Sequence, residues 1–218
     1  MPFTIEQFLE VFREYNEAVY PAQWALLLSA LVAVGLSFVR TELSARIIVV
    51  ILAVQWAWMG IAYHLIFFTQ INPAAYLFGS LCIVHALIFL YYGAIRSRLQ
   101  FGPSADAAGM TGTVFMIFAL AAYPILSYFF GHVYPYSPTF GAPCPTTIFT
   151  FGILLWARGR VPAYVIAIPF IWSLVGFSAA VSLTIREDMG LFIAGIFGSA
   201  LILLRNRQMP AEGQTIRP

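Results

Sequence analysis

Apolar runs of roughly twenty residues, the length that crosses a bilayer core as a helix, recur along this chain. They read as spans over 20–39, 46–68, 73–95, 110–131, 143–157, 162–185 and 189–204. In hydrocarbon every backbone polar group must be paired within the protein, so only helices and closed barrels cross. The alternating pattern of barrel strands is missing, which leaves helices. Composition agrees, because 61% of residues are hydrophobic and only 9% charged, whereas a soluble domain carries about a quarter charged residues. The expected fold is an all-α polytopic membrane bundle of about seven transmembrane helices, with an amphipathic interfacial helix at the N-terminus. Residues 1–19 form that helix, 20–207 the bundle and 208–218 a flexible polar tail.

Local signals support the first element. Thr4 and Gln7 have capping-box spacing, and Phe3 and Phe8 have that of a hydrophobic staple. Ile5, Phe8, Leu9, Phe12 and Val19 form an apolar stripe, with Glu6, Glu10, Glu14 and Glu17 largely opposite. Met1-Pro2-Phe3 and the acidic stretch that follows lack the basic-then-apolar order of a cleavable signal.

Arginine placement orients the spans. Arg40, Arg46, Arg96, Arg98, Arg158, Arg160, Arg205, Arg207 and Arg217 fall in alternate connections, and only Arg13 and Arg186 fall on the other side. By the positive-inside rule the N-terminus is expected outside and the C-terminus in the cytoplasm. Glu187 and Asp188 then count among six acidic residues in outer segments. No span centre holds an Asp, Glu or Arg. The chain contains no lysine, which excludes a Schiff base to retinal or pyridoxal phosphate. A net charge of +2 gives no reason to expect a nucleic-acid partner.

The fifth span is short, since thirteen residues from Pro145 make about 20 Å of helix. Gly141, Pro143 and Pro145 precede or open it, as in helices that begin inside a membrane. Kinks are expected near Pro124 and Pro169. Gly190, Ala194 and Gly198 repeat at every fourth residue, a small-residue face suited to close helix approach.

The residues able to carry chemistry are Cys144, His64, Cys82, His85 and His132. Cys82 and His85 are three apart on one helical face, and thiolate with imidazole suits Cu(I), Zn(II) or Hg(II). Packing alone also accounts for them, since cysteine behaves as a small hydrophobe. Cys144 lies in Gly141-Ala142-Pro143-Cys144-Pro145-Thr146-Thr147. With Pro145 as first helical residue it would occupy the N-cap, where the exposed amides favour a thiolate. A Cys-Pro pair within a span also resembles the metal-binding element of heavy-metal pumping ATPases. By topology His64, His132 and Cys144 reach the same outer end. The leading expectation is a small transporter, or transport accessory, for a soft metal cation. The alternative is a non-catalytic bundle binding a lipid, an apolar ligand or a partner membrane protein. The expected cofactor is a soft or borderline metal ion. Expected partners are the lipid bilayer and a second copy or another membrane protein. No nucleophile elbow or phosphate-binding glycine loop is present, so an enzyme is the less favoured class.

Three stretches carry a family resemblance: Phe3-Thr4-Ile5-Glu6-Gln7-Phe8 with Tyr15-Asn16, Tyr63-His64 with Asn72-Pro73-Ala74-Ala75, and Pro143-Cys144-Pro145-Thr146-Thr147. Together they are similar to an uncharacterised family of bacterial multi-pass integral membrane proteins, a domain of unknown function. The resemblance implies a bacterial inner-membrane protein and supplies no activity.

Overall fold

The structure is a computed structural model that describes residues 2–96 and 99–209. Arg98, Arg217 and all but the first two residues of the expected tail lie outside the described residues. Nine α-helices are found among those described: α1 (Ile5–Val19), α2 (Ala22–Leu36), α3 (Glu42–Trp58), α4 (Ala75–Phe89), α5 (Ala107–Ile117), α6 (Tyr123–Phe129), α7 (Pro143–Leu155), α8 (Ala163–Leu183) and α9 (Met189–Gln208). Helix α3 continues through π-helical turns, Met59–Phe67, to a short tight turn ending at Gln70. Helix α4 ends in similar turns, Leu90–Ile95, and α5 is joined to α6 by Phe118–Ala122. Pro124 stands at the start of α6, directly after those π-helical turns, and Pro169 lies inside α8.

Five continuous helical segments are long and apolar enough to cross a membrane. Helices α1 and α2 pass that test together but are bent by 85°, and α7 is shorter than a span. The architecture is thus the expected all-α membrane bundle.

Helix α7 is the hub. All thirteen of its residues are buried, as expected for a helix apolar all round. It packs against α5, α8, α9 and, less extensively, α3. Contact with α5 is backbone to backbone. A Cβ on Gly152 would lie 2.9 Å from the Gly112 carbonyl oxygen, and one on Gly112 would lie 2.7 Å from that of Gly152. The small face of α9 is also spent inside the chain, where Gly190 meets Phe118 and Gly198 meets Phe151. Around the hub, successive contacts run α2–α3–α4–α8–α9–α5. A cavity of about 510 Å³ separates α2 from the α5–α6 region, between Leu27 and Ala119–Leu120.

Helix α1 forms through the expected capping box. The Thr4 N–H donates to Gln7 Oε1 (2.9 Å), and the Gln7 N–H donates to Thr4 Oγ1 (3.3 Å). The staple is present, with Phe3 and Phe8 rings 5.8 Å apart. Its apolar side does more than rest at an interface. Phe8, Val11, Phe12 and Tyr15 are buried against Tyr63, Phe68 and Ala142. On the polar side Arg13 bonds Glu10 (2.5 Å) and Glu17 (2.6 Å). Asn16 ties the helix to the long loop before α7, donating to the carbonyls of Pro135 (2.6 Å) and Ser137 (2.8 Å).

Candidate functional site: a buried carboxyl pair beside an aromatic cavity

The connection from α8 to α9 is tight. Helix α8 ends at Thr184, in the left-handed conformation (φ 60°), and a single turn over Arg186–Asp188 leads into α9. That turn sends its three charges in different directions. The Arg186 guanidinium sits over the Phe130 ring at 5.8 Å. Glu187 and Asp188 turn inward and are only 1% and 3% exposed. Both carboxyls of this doublet are therefore inside the protein rather than in solvent.

Each acid has its own partners. The Tyr123 hydroxyl donates to Asp188 Oδ1 at 2.5 Å, and the Cys144 thiol also hydrogen-bonds Asp188. Glu187 Oε1 accepts from Ser127 Oγ (2.9 Å) and meets His132 Nδ1 at 2.6 Å. A carboxylate oxygen accepts, so Nδ1 carries the proton in that contact. Tyr123 and Ser127 are four residues apart on α6, hence on one face, and serve the two acids in turn. Glu187 Oε2 is buried with no partner.

Positive charge near the pair is scarce. His132 supplies one unit when protonated, and the first turn of α7, which holds Cys144, adds roughly half a unit through its dipole. Two ionised carboxylates would outweigh both. Buried charge is tolerated where it is fully paired, and this pair is left short of a cation.

A second cavity, of about 180 Å³, opens on this network. Asp188 and Cys144 form part of its wall, and Phe8 and Phe12 of α1, with Phe3 just before it, cover it. Tyr63, Phe68, Phe78 and Trp172 complete an aromatic lining. The larger cavity touches the other side of the same network, through Tyr123 and His132.

The five residues expected to ligate a metal are dispersed. Cys144 lies against Asp188, and His132 against Glu187. Pro143, not Pro145, opens α7, so Cys144 is its second residue rather than the N-cap, which is Ala142. Cys144 thus lies inside the first turn of α7, beside Asp188, and not at its cap. His64 lies in the π-helical turns after α3, both ring nitrogens unpartnered, boxed by Tyr63, Phe68, Phe78 and Trp172 at centroid distances of 4.8–5.9 Å. His85 is held between Trp56 (4.2 Å) and Phe89 (4.5 Å), and its nitrogens are likewise unpartnered. Cys82 packs beside Gly60. Among the described residues no three His, Cys, Asp or Glu side chains gather to hold a metal ion.

Glu187, Asp188, Tyr123 and Ser127 are the site residues that sequence reasoning missed. The available signal was the brevity of the α8–α9 connection, too short to carry an acidic doublet clear of the bundle. The i, i+4 spacing of Tyr123 and Ser127 was a weaker one.

The three stretches that carry the family resemblance meet at the smaller cavity. Phe3 and Phe8 come from the first, Tyr63 and Asn72 from the second, and Pro143 and Cys144 from the third. No curated protein and no solved structure shows significant similarity to this chain. Residues 5–212 match the model of a family of unknown function, DUF6064, and the chain belongs to that family.

Proposed function

We propose that this chain is a non-catalytic multi-pass protein of the bacterial inner membrane that binds a small, largely apolar ligand. The observation that carries this reading is the cavity of about 180 Å³ lined by aromatic rings under α1. Concave, mostly apolar sites with few polar groups are the usual form of small-molecule pockets. An apolar cavity of about 150 Å³ is large enough for benzene. In the proposed orientation α1 and the cavity face outward and the C-terminus is cytoplasmic, supported by Arg40, Arg46, Arg158, Arg160 and Arg207 in the alternate connections and tail.

The test is calorimetric titration of benzyl alcohol into the detergent-purified full chain and into Ala179→Phe. Ala179 lines the cavity, and a phenyl group there would fill it. Saturable binding in the wild type and none in the variant is the expected result. Identical isotherms would sink the proposal.

A second reading, transport of a soft metal cation, is favoured by one observation: Cys144 and Asp188 place a thiol and a carboxyl in contact on the cavity wall. It predicts stoichiometric Zn(II), Cu(I) or Hg(II) binding that disappears in Cys144→Ser. Absence of metal binding in the wild type removes this reading.

A further inference from the structure

We propose that the aromatic cavity takes an organic ammonium cation, a protonated amine with a compact apolar body, and that Asp188 is its counter-ion. This rests on the apolar-ligand reading of the cavity and names the class of ligand.

Three features of the wall point to a cation. Phe3, Phe8, Phe12, Phe68 and Trp172 are among the rings that surround the space. The faces of such rings are electron-rich and attract ammonium groups, most strongly where water is excluded. Among the described residues Asp188 is the only carboxyl in the wall, and no basic side chain lines it. The donors already on Asp188, the Tyr123 hydroxyl and the Cys144 thiol, are neutral. They satisfy lone pairs without cancelling charge, so the carboxyl retains its demand for a cation.

The same wall discriminates among cations. A hard metal ion needs about six oxygen ligands, and the lining offers one carboxyl with the Asn72 amide and the Tyr63 and Ser178 hydroxyls. Aromatic faces do not replace a hydration shell of that kind. An ammonium with an apolar body suits both halves of the cavity, its body against the rings and its N–H groups toward Asp188. Anions are repelled by the Glu187–Asp188 pair, which His132 and the α7 terminus offset only in part. The volume, about 180 Å³, limits the ligand to roughly one ring bearing an aminomethyl group.

Benzylamine, benzyl alcohol and benzoate share one body and differ in charge, so they separate this inference from the cavity reading. Each is titrated at pH 7 into the purified full chain, Asp188→Asn and Trp172→Leu. In the wild type benzylamine is expected to bind at least tenfold more tightly than benzyl alcohol, with benzoate weakest. Asp188→Asn should keep benzyl alcohol binding and erase the preference for the amine. Trp172→Leu should weaken the amine several-fold more than the alcohol. Equal wild-type binding of amine and alcohol overturns the inference and leaves the apolar-ligand reading standing. No binding of either overturns both. The wild-type comparison decides the matter even where a variant fails to fold.

Discussion

The two ends of α7 meet the same problem, a helix terminus deep inside a membrane protein, in opposite ways. At the C-terminal end Arg205 donates to the carbonyls of Leu155 (2.8 Å) and Leu154 (3.4 Å). Trp156 donates its indole N–H to the Gly109 carbonyl (3.0 Å), and Asn206 bridges to both main-chain groups of Val161. Among the described residues only Arg205 Nε is left buried without a partner there. The N-terminal end has two buried acids, one wholly unpaired carboxyl oxygen and two cavities. A positive side chain at the C-terminus and acids near the N-terminus both complement the helix dipole. One end is closed by hydrogen bonds to its own chain, whereas the other holds excess charge beside empty space. The first end serves stability; under the proposed function the second gives up stability for a ligand site, a trade-off expected where function needs unsatisfied groups.

Four substitutions press on that contrast. Phe12→Ala removes the more buried of the two phenylalanines of α1 from the cavity roof and is expected to cost about 3–5 kcal/mol. Limited trypsin digestion should then cut after Arg13 much faster than in the wild type; unchanged cutting would mean that α1 is not held by its aromatic face. Arg205→Leu strips donors from two α7 carbonyls and should cost about 2–3 kcal/mol. Thermal unfolding in detergent should drop by several degrees while benzyl alcohol still binds. Loss of binding without loss of stability would reverse the roles assigned to the two ends.

Asp106, also near the Arg205 end, caps α5 by accepting the Gly109 N–H (2.7 Å). That hydrogen bond, followed by one from Ser104, holds its carboxyl below the usual aspartate range. A depressed folded-state value means that the stabilisation is complete above the unfolded value, about 3.9, and is lost as pH falls through the folded value. Asp106→Ala should therefore lower stability by about 1 kcal/mol at neutral pH, and the gap to wild type should close in acid. A gap that persists at low pH would show that the cap acts by some means other than its charge. The smallest effect is expected from Glu187→Gln, which keeps an acceptor for Ser127 and His132 but removes one buried charge. Stability should rise slightly, by less than about 1 kcal/mol. A fall as large as that of Arg205→Leu would erase the difference between the two ends.

Legibility in the sequence was uneven for equally physical reasons. The α1 cap and staple were readable because Thr4, Gln7, Phe3 and Phe8 interact within one turn or so of chain. The special character of the fifth span was readable from its length and prolines, yet its place at the centre of the bundle was not. A helix apolar on every side gives no periodic signal to say which neighbours surround it. The Gly190–Ala194–Gly198 face was visible, but whether it met another copy or Phe118 and Phe151 of the same chain depended on packing. His64, Cys82, His85, His132 and Cys144 were conspicuous as residue types. Depth along a helix placed them in comparable layers without fixing the direction in which each side chain turned. The structure sends His64 and His85 into separate aromatic boxes and brings only Cys144 and His132 to the acidic pair.

The sequence by itself determined the helical membrane class, the approximate limits of most helices and the amphipathic N-terminal helix. Lipid leaves the backbone no other way to satisfy its hydrogen bonds, and cap and stripe act over a few residues. Only tertiary structure decided that Glu187 and Asp188 are buried, that α7 is the hub and that an aromatic cavity lies between α1 and the acids. Those outcomes depend on pairings between segments far apart in the chain, such as Tyr123 with Asp188, 65 residues apart, and Asn16 with Pro135, 119 apart. In hydrocarbon an apolar side chain is equally at home facing lipid or protein, so close packing and polar pairing select the arrangement.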